Sequence, residues 1–435
     1  MTILQRFFRD RRGNVAVIVA LLILPMLVLA GGATDIARYE AHRVQLQDGV
    51  DRAALAAASL SQTKSVQSTV NSYMKSISFI GDVDLDYDSV ISINARKVTV
   101  TASYPMQTGF LPLIGISELN IVVSATAEDR RPNIEISLML DISGSMRWGT
   151  PTRLSLLRPA AKEFIDTILT PASAPTTSIS IVPYAGSVNP GSAVFNGLGV
   201  PRKHNYSSCV EFANNDYGVG MIPLNQRTQV PHFTNSHDGV NEPGLEWSWC
   251  PYEATSITYL SNNAATLKAK IDGMRMHDGT GTAIAMNWGM LLLEPSAQPF
   301  IAQAAGAGIV PMQFANRPAA FNNGGTVKVI VLMTDGIISQ QLRPHTYNYP
   351  RNPAVNNYEM QSSQNAAQKM QTVCDRAKAN NVIVYTIGFQ LEDEGKVQMR
   401  NCASSAGHYY DVVGLDIASA FRAVANSIQK VKLTQ

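Results

Sequence analysis

The stretch IEISLMLDISGSM, Ile134 to Met146, joins a mostly apolar run to a carboxylate, two hydroxyls and a glycine. Seven residues, five of them apolar, with Glu135 and Ser137 between them, suit a strand buried on both faces, the kind found in parallel sheets covered by helices. Three further runs share this character: TSISIVPY (177–184), TVKVIVLMTDG (326–336) and NVIVYTIGF (381–389). Between them fall helical stretches at Thr152 to Leu169, Asn262 to Met274, Ala283 to Glu294, Ser362 to Asn380 and Ile417 to Val431. Strands alternating with helices predict a doubly wound, mostly parallel α/β sheet. Ligands of such sheets lie beyond the carboxyl ends of the strands, which is where Asp141, Ser143, Ser145 and Asp335 fall.

A third loop, DGTGTAIAMNWGM, places Thr280 and Thr282 after a glycine turn at the start of a helix. Oxygen donors alone, Asp141, Ser143, Ser145, Thr280 and Asp335, suit a hard divalent cation: magnesium first, with manganese or calcium as substitutes. Taken singly, each fragment is also a plain turn or helix start; their order along the strands joins them. Thr282 reads as a helix cap. These fragments resemble the von Willebrand factor type A domain, in which D-x-S-x-S, a threonine and an aspartate form a metal-ion-dependent adhesion site. The resemblance implies that Asp141, Ser143, Ser145 and Thr280 hold the metal and that Asp335 acts mainly through bound water.

The chain has 435 residues, 45% of them hydrophobic, and a net charge of +2, enough for two or three domains and with no field to hold nucleic acid. At the N-terminus Arg6, Arg9, Arg11 and Arg12 precede a run without charge up to Asp35. At helical rise the run 13–34 covers roughly 33 Å, the thickness of a bilayer core. Arginines before the span and none directly after it predict a single-pass helix in the bacterial inner membrane, N-terminus in the cytoplasm and the rest in the periplasm. A cleaved signal peptide, releasing a secreted adhesin, shares the basic start and the small residues Ala30 to Ala33; the length of the run favours the anchor.

From Asp35 to about Ile80 the pattern predicts one long helix with Ile36, Tyr39, Arg43, Val50, Ala54 and Ala57 recurring at helical spacing. The alternating segments 89–105 and 119–129 predict a small antiparallel sheet packed on it. FFRDRRGNVAVIVALLILP followed by DIARYEAHRVQLQDGVDRAALAAA resembles the N-terminal segment of TadE/TadG-like proteins of the bacterial Tad (Flp) pilus apparatus. Pilin-like members carry a glutamate five residues after the glycine matching Gly13; Ile18 stands there, which argues for a stationary envelope component over a polymerised pilin. The domains expected are 1–34 (basic segment and span), 35–130 (small α+β, pilin-like) and 131–435 (A-type domain), the last with insertions at about 187–255, 298–325 and 340–357. The second and third insertions read as loops, and all three are expected to rim the metal end.

Four cysteines without a CxxC pair exclude a zinc ribbon and allow three pairings. Proximity and the family resemblance select Cys374 with Cys402 and Cys209 with Cys250. Trp247, Trp249 and Tyr252 are either partner-contact anchors or the mini-core of the first insertion. His204, His232 and His237 lack metal-ligand spacing and read as solvated loop residues. An enzyme is disfavoured: there is no P-loop or nucleophile elbow, no general base beside the metal motif, and Ser143 breaks the D-x-D of aspartyl phosphatases, so a metal-dependent hydrolase is the weakest reading. The resemblances imply a partner protein of the pilus apparatus or envelope that offers a carboxylate to the metal, with no small-molecule substrate.

Overall fold

The structure, a computed structural model, describes residues 14–92, 94–235, 247–346 and 357–433. His237 and the four N-terminal arginines lie outside these residues. The chain forms two compact units, 1–130 and 131–435.

In the first unit, helix α1 (Asn14–Ala58) is followed by α2 (Val66–Met74) and by an antiparallel sheet of β1 (Asp84–Ile91), β2 (Ala95–Gln107) and β3 (Glu118–Arg130) in that order. Its N-terminal part is long and apolar enough to cross a membrane and also suits a signal sequence. The expected single helix to Ile80 is broken instead. Ser61 to Ser65 is rich in Ser and Thr, which compete for backbone partners, and the Ser65 hydroxyl caps α2 by accepting from the Ser68 N–H. The buried stripe of α1 is Leu46, Val50, Ala53, Ala54 and Ala57, closing on Val98, Val100 and Ile121 of the sheet. Ile36 and Arg43 fall off that stripe and are exposed.

The second unit carries a six-stranded sheet in the order β11-β10-β7-β4-β5-β6: β4 (Asn133–Asp141), β5 (Thr177–Tyr184), β6 (Thr258–Ser261), β7 (Thr326–Thr334), β10 (Ile383–Phe389) and β11 (Tyr409–Val412). All neighbours run parallel except β6, antiparallel at one edge. A separate hairpin pairs β8 (Gln341–Pro344) with β9 (Asn357–Gln361). The helices are α3 (Arg153–Ile168), α4 (Ser192–Gly197), α5 (Ala264–Gly273), α6 (Thr282–Leu291), α7 (Gln298–Gly306), α8 (Ser363–Ala379), α9 (Asp393–Cys402) and α10 (Ile417–Leu433). α3, α5 and α10 cover one face over Ile134, Ile136, Leu138 and Leu140 of β4; α6, α8 and α9 cover the other. That second face includes polar residues, each with a partner: Ser137 donates to the Gly289 carbonyl at 2.7 Å, and buried Glu135 pairs with Lys328. This is the doubly wound α/β architecture that the von Willebrand A resemblance implies.

The second insertion is not all loop, and the described part of the third includes strand. Residues 298–325 open with α7, and β8 and β9 flank the third, most of which lies outside the described residues. Both cysteine pairs close as expected, Cys209 with Cys250 and Cys374 with Cys402, at Cα separations of 5.9 and 5.1 Å.

Candidate metal centre

Register places the site. β4 and β7 are adjacent and in parallel register, Leu140 opposite Met333, so Asp141 and Thr334 meet one step further on at the carboxyl ends. The Thr334 hydroxyl donates to Asp141 Oδ2 at 2.7 Å, and the Ser143 N–H donates to Oδ1 at 2.8 Å. Beyond the strand, residues 144–147 make one tight turn that brings the two serines side by side. Ser143 Oγ and Ser145 Oγ lie 2.9 Å apart, and Ser145 Oγ donates to Asp335 Oδ1 at 2.6 Å. Four of the five expected donors therefore form one connected set.

Thr280 joins the same end of the sheet through its backbone. Its N–H donates to Ser339 Oγ at 2.8 Å and its carbonyl accepts from the Ser339 N–H, four residues past Asp335. The neighbouring backbone is laced to the other loops, with the His277 N–H donating to the Ile142 carbonyl at 2.8 Å and the Gly281 N–H to that of Ala185 at 2.6 Å. Thr282 is not a cap: Gly281 takes that position, and Thr282 is the first residue of α6, beside the Tyr184 phenol.

Burial decides the electrostatics. Asp141 and Asp335 are 0% and 3% exposed. Burial, reinforced by the facing Asp335 carboxylate, pushes Asp141 up to about 7 against the pull of its bonds from Ser143 and Thr334. Burial also raises Asp335, opposed by Arg153, whose Nη1 donates to Oδ2 at 2.8 Å, and by Ser145. Two carboxylates buried together, both raised by burial and one of them also by its neighbour, are a reason for a cation to enter. The donor set fits one: cis oxygens on a magnesium with bonds of roughly 2.1 Å stand about 3.0 Å apart, close to the 2.9 Å between the serine hydroxyls. Asp335 differs from Asp141 in that its charge is already paired with the Arg153 guanidinium, which leaves it less free to meet a cation directly.

Arg153 is the residue that sequence reasoning missed. A signal existed, since it is the first residue of α3, where the helix dipole disfavours a cation unless a carboxylate lies ahead of it. Its side chain is 17% exposed and also donates from Nε to Gln390 Oε1 at 3.0 Å.

The first insertion reaches the site at Trp247, against whose ring a Cβ on Gly144 would come within 3.2 Å. The Arg147 guanidinium lies over Trp148 and Trp247, 4.6 and 5.4 Å from their ring centroids, and Trp148 is 56% exposed. Trp249 is buried instead: it stacks on Phe233 at 5.5 Å inside a cluster around the Cys209–Cys250 disulfide, which is the mini-core alternative. Tyr252 is half-buried, edge-on to His277. The histidines depart from expectation. His204 and His232 are buried, with His204 Nε2 bonded to the Val230 carbonyl and His232 Nδ1 to Ser207 Oγ, and His232 stacks on Tyr206 at 5.2 Å. Their rings pack inside this insertion and lie 5.9 Å apart.

Residues 13–60 match the sequence model of the TadE/G-like Flp pilus-assembly family. None of the curated proteins compared with the chain matches it. Among solved structures, the chain is similar to the pilus adhesin SpaC of Lactobacillus rhamnosus GG (12% identity, TM-score 0.37, covering 81% of this chain and 35% of that one). The chain thus spans about a third of SpaC. It is also similar to the vWF domain of the type V pilus tip protein Mfa5 of Porphyromonas gingivalis (13% identity, TM-score 0.38, 69% and 97% covered). A third is proximal thread matrix protein 1 of the mussel byssus, with a zinc-occupied MIDAS motif (13% identity, TM-score 0.32, 68% and 46% covered). At its N-terminus the chain therefore carries a TadE/G-like segment of the Flp pilus-assembly family.

Proposed function

We propose that the chain is a membrane-anchored, non-enzymatic component of Tad (Flp) pilus assembly or adhesion, whose second unit captures a protein partner through a divalent cation. Asp141, Ser143, Ser145 and Thr280 would hold the ion, magnesium by preference, and Asp335 would reach it through water. The observation that carries this reading is the connected set of oxygens from Asp141 to Asp335 at the strand ends. Charge explains what the site would do. Two carboxylates and the Arg153 guanidinium sum to −1, and a dication turns that to +1, leaving an open position that attracts a carboxylate from a pilin, a secretin or another envelope protein. The bound ion would supply Lewis acidity toward that carboxylate. In this reading α1 crosses the inner membrane once, with the second unit on the periplasmic side.

Titration of the full chain in detergent with magnesium or manganese should show one site, and Asp141→Ala should remove it while leaving the far-ultraviolet dichroism unchanged. Crosslinked envelope extracts pulled down in magnesium should yield a partner that chelator or Asp141→Ala releases. Equal recovery with the variant would contradict the mechanism.

A further inference from the structure

The turn between β2 and β3, TGFLPLIGIS (108–117), contains no charged residue. Turns at a sheet end usually face water and are polar. Here Phe110, Leu113, Ile114 and Ile116 are 42%, 60%, 55% and 40% exposed, an apolar cluster of the kind that marks a contact surface.

Its position is fixed by Asp35. That carboxylate is 1% exposed and accepts three backbone N–H groups from the turn, Gly109 at 2.9 Å, Phe110 at 2.8 Å and Leu111 at 3.0 Å. Asp35 is also the first charge after the apolar run of α1, so the turn is pinned where that run ends. One helical turn earlier, Gly31 admits the Phe110 ring against the helix backbone, since a Cβ there would fall inside the ring. Leu111 lies near Gly32 more loosely, a Cβ there coming within 3.1 Å of its side chain. The turn thus lies alongside the final turn of the uncharged segment, whose Leu27 and Leu29 are themselves exposed.

We propose that residues 110–116 are a second membrane contact, a foot whose Phe110, Leu113, Ile114 and Ile116 enter the boundary between headgroups and acyl chains in the leaflet from which the chain emerges. This rests on the anchor reading of α1. The occupant is lipid because the patch shares the depth of the span: if run 13–34 fills the hydrocarbon core, Gly31 and Gly32 sit within roughly 5 Å of its edge, and the turn beside them carries no charged side chain, its Thr108 hydroxyl donating to the Ile116 carbonyl at 2.7 Å. Asp35 meets no lipid, because its oxygens are spent on the turn's own N–H groups.

The test is tryptophan fluorescence of full-length Ile114→Trp in phosphatidylcholine–phosphatidylglycerol vesicles, with Val90→Trp on the outer strand β1 as an exposed control and the wild-type signal of the four native tryptophans subtracted. Both positions are open to solvent, so neither change disturbs packing. Ile114→Trp should shift to the blue, lose most of its emission in lipid brominated near the carbonyl end of the chains, and resist aqueous iodide, whereas Val90→Trp should do the reverse. Quenching of Ile114→Trp by iodide as strong as the control's overturns the proposal. Shielding from iodide without quenching by brominated lipid also overturns it, in favour of a protein covering the patch. Retention in the vesicles after carbonate washing is read on the same samples. A chain that leaves them refutes the anchor reading and the foot with it, while a retained chain with an unquenched Ile114→Trp refutes the foot alone.

Discussion

Replacing Arg153 by methionine separates a metal site from a merely structural cluster. The substitution leaves Asp335, whose side chain is wholly buried, with Ser145 as its remaining side-chain donor, and also removes the bond to Gln390. Removing one partner of a buried pair destabilises by roughly 3–5 kcal/mol. Because Arg153 is 17% exposed and the orphaned carboxylate can take up a proton, the lower end applies, about 3 kcal/mol. In a domain of this size that lowers Tm by roughly 6 °C in chelator. Magnesium should reverse most of the loss, because the dication restores the missing counter-charge. Scanning calorimetry of wild type and variant, each in chelator and in millimolar magnesium, should therefore show a larger magnesium-induced rise for Arg153→Met. Arg422→Met, which breaks a half-exposed pair with Glu163, should change neither Tm nor the response to magnesium. Equal magnesium shifts in wild type and Arg153→Met, or none in either, would refute the reasoning.

Three further outcomes are expected. Cys374→Ser with Cys402→Ser should cost about 3–4 kcal/mol in chemical denaturation, from the loop the bridge closes. Trp249→Ala should cost about 3–5 kcal/mol and speed amide exchange first around Cys209, Val230 and Phe233, its packing partners; uniform exchange across the domain would contradict its local role. Burial pushes Lys270 down to about 8, against the attraction of Glu253, so below pH 8 the folded state bears the whole penalty of the buried charge. From there to the unfolded value of about 10.4 the unfolded chain holds more protons, and stability contributed by this group rises with pH. The stability of wild type minus that of Lys270→Met should rise between pH 8 and 10, and a flat difference contradicts the assignment.

The sheet of the second unit was legible because its strands are short runs rich in Ile, Val and Leu without charge clusters: TSISIVPY is β5 residue for residue. Asp141, Ser143, Ser145 and Asp335 were legible for a related reason, since each lies within a few residues of a strand end and the topology brings those ends together. What escaped depends on contacts far apart in sequence. β6 and β11 are four residues each, too short for a period to show, and their place comes from β5 and β10. Arg153 meets Asp335 across 182 residues, and nothing local gives that distance. His204 and His232 resemble surface residues by type, but here their ring nitrogens are bonded to the Val230 carbonyl and to Ser207 from distant parts of the insertion, which no local pattern shows. The helix break after Ala58 was written in the Ser and Thr run, whose preference for capping outweighed the absence of proline.

α1 is a single helix from the apolar segment into the core of the small sheet, and its two halves therefore share one azimuth. Inserting one residue between Asp35 and Leu46 would twist the lower half by about 100° relative to the upper, swinging Gly31 out from under Phe110 while leaving composition and hydropathy almost untouched. Inserting seven residues, close to two whole turns, would restore the phase but lengthen the rod by roughly 10 Å. The linker is thus tuned in angle as well as in length, a constraint that no profile of hydropathy along the chain would reveal.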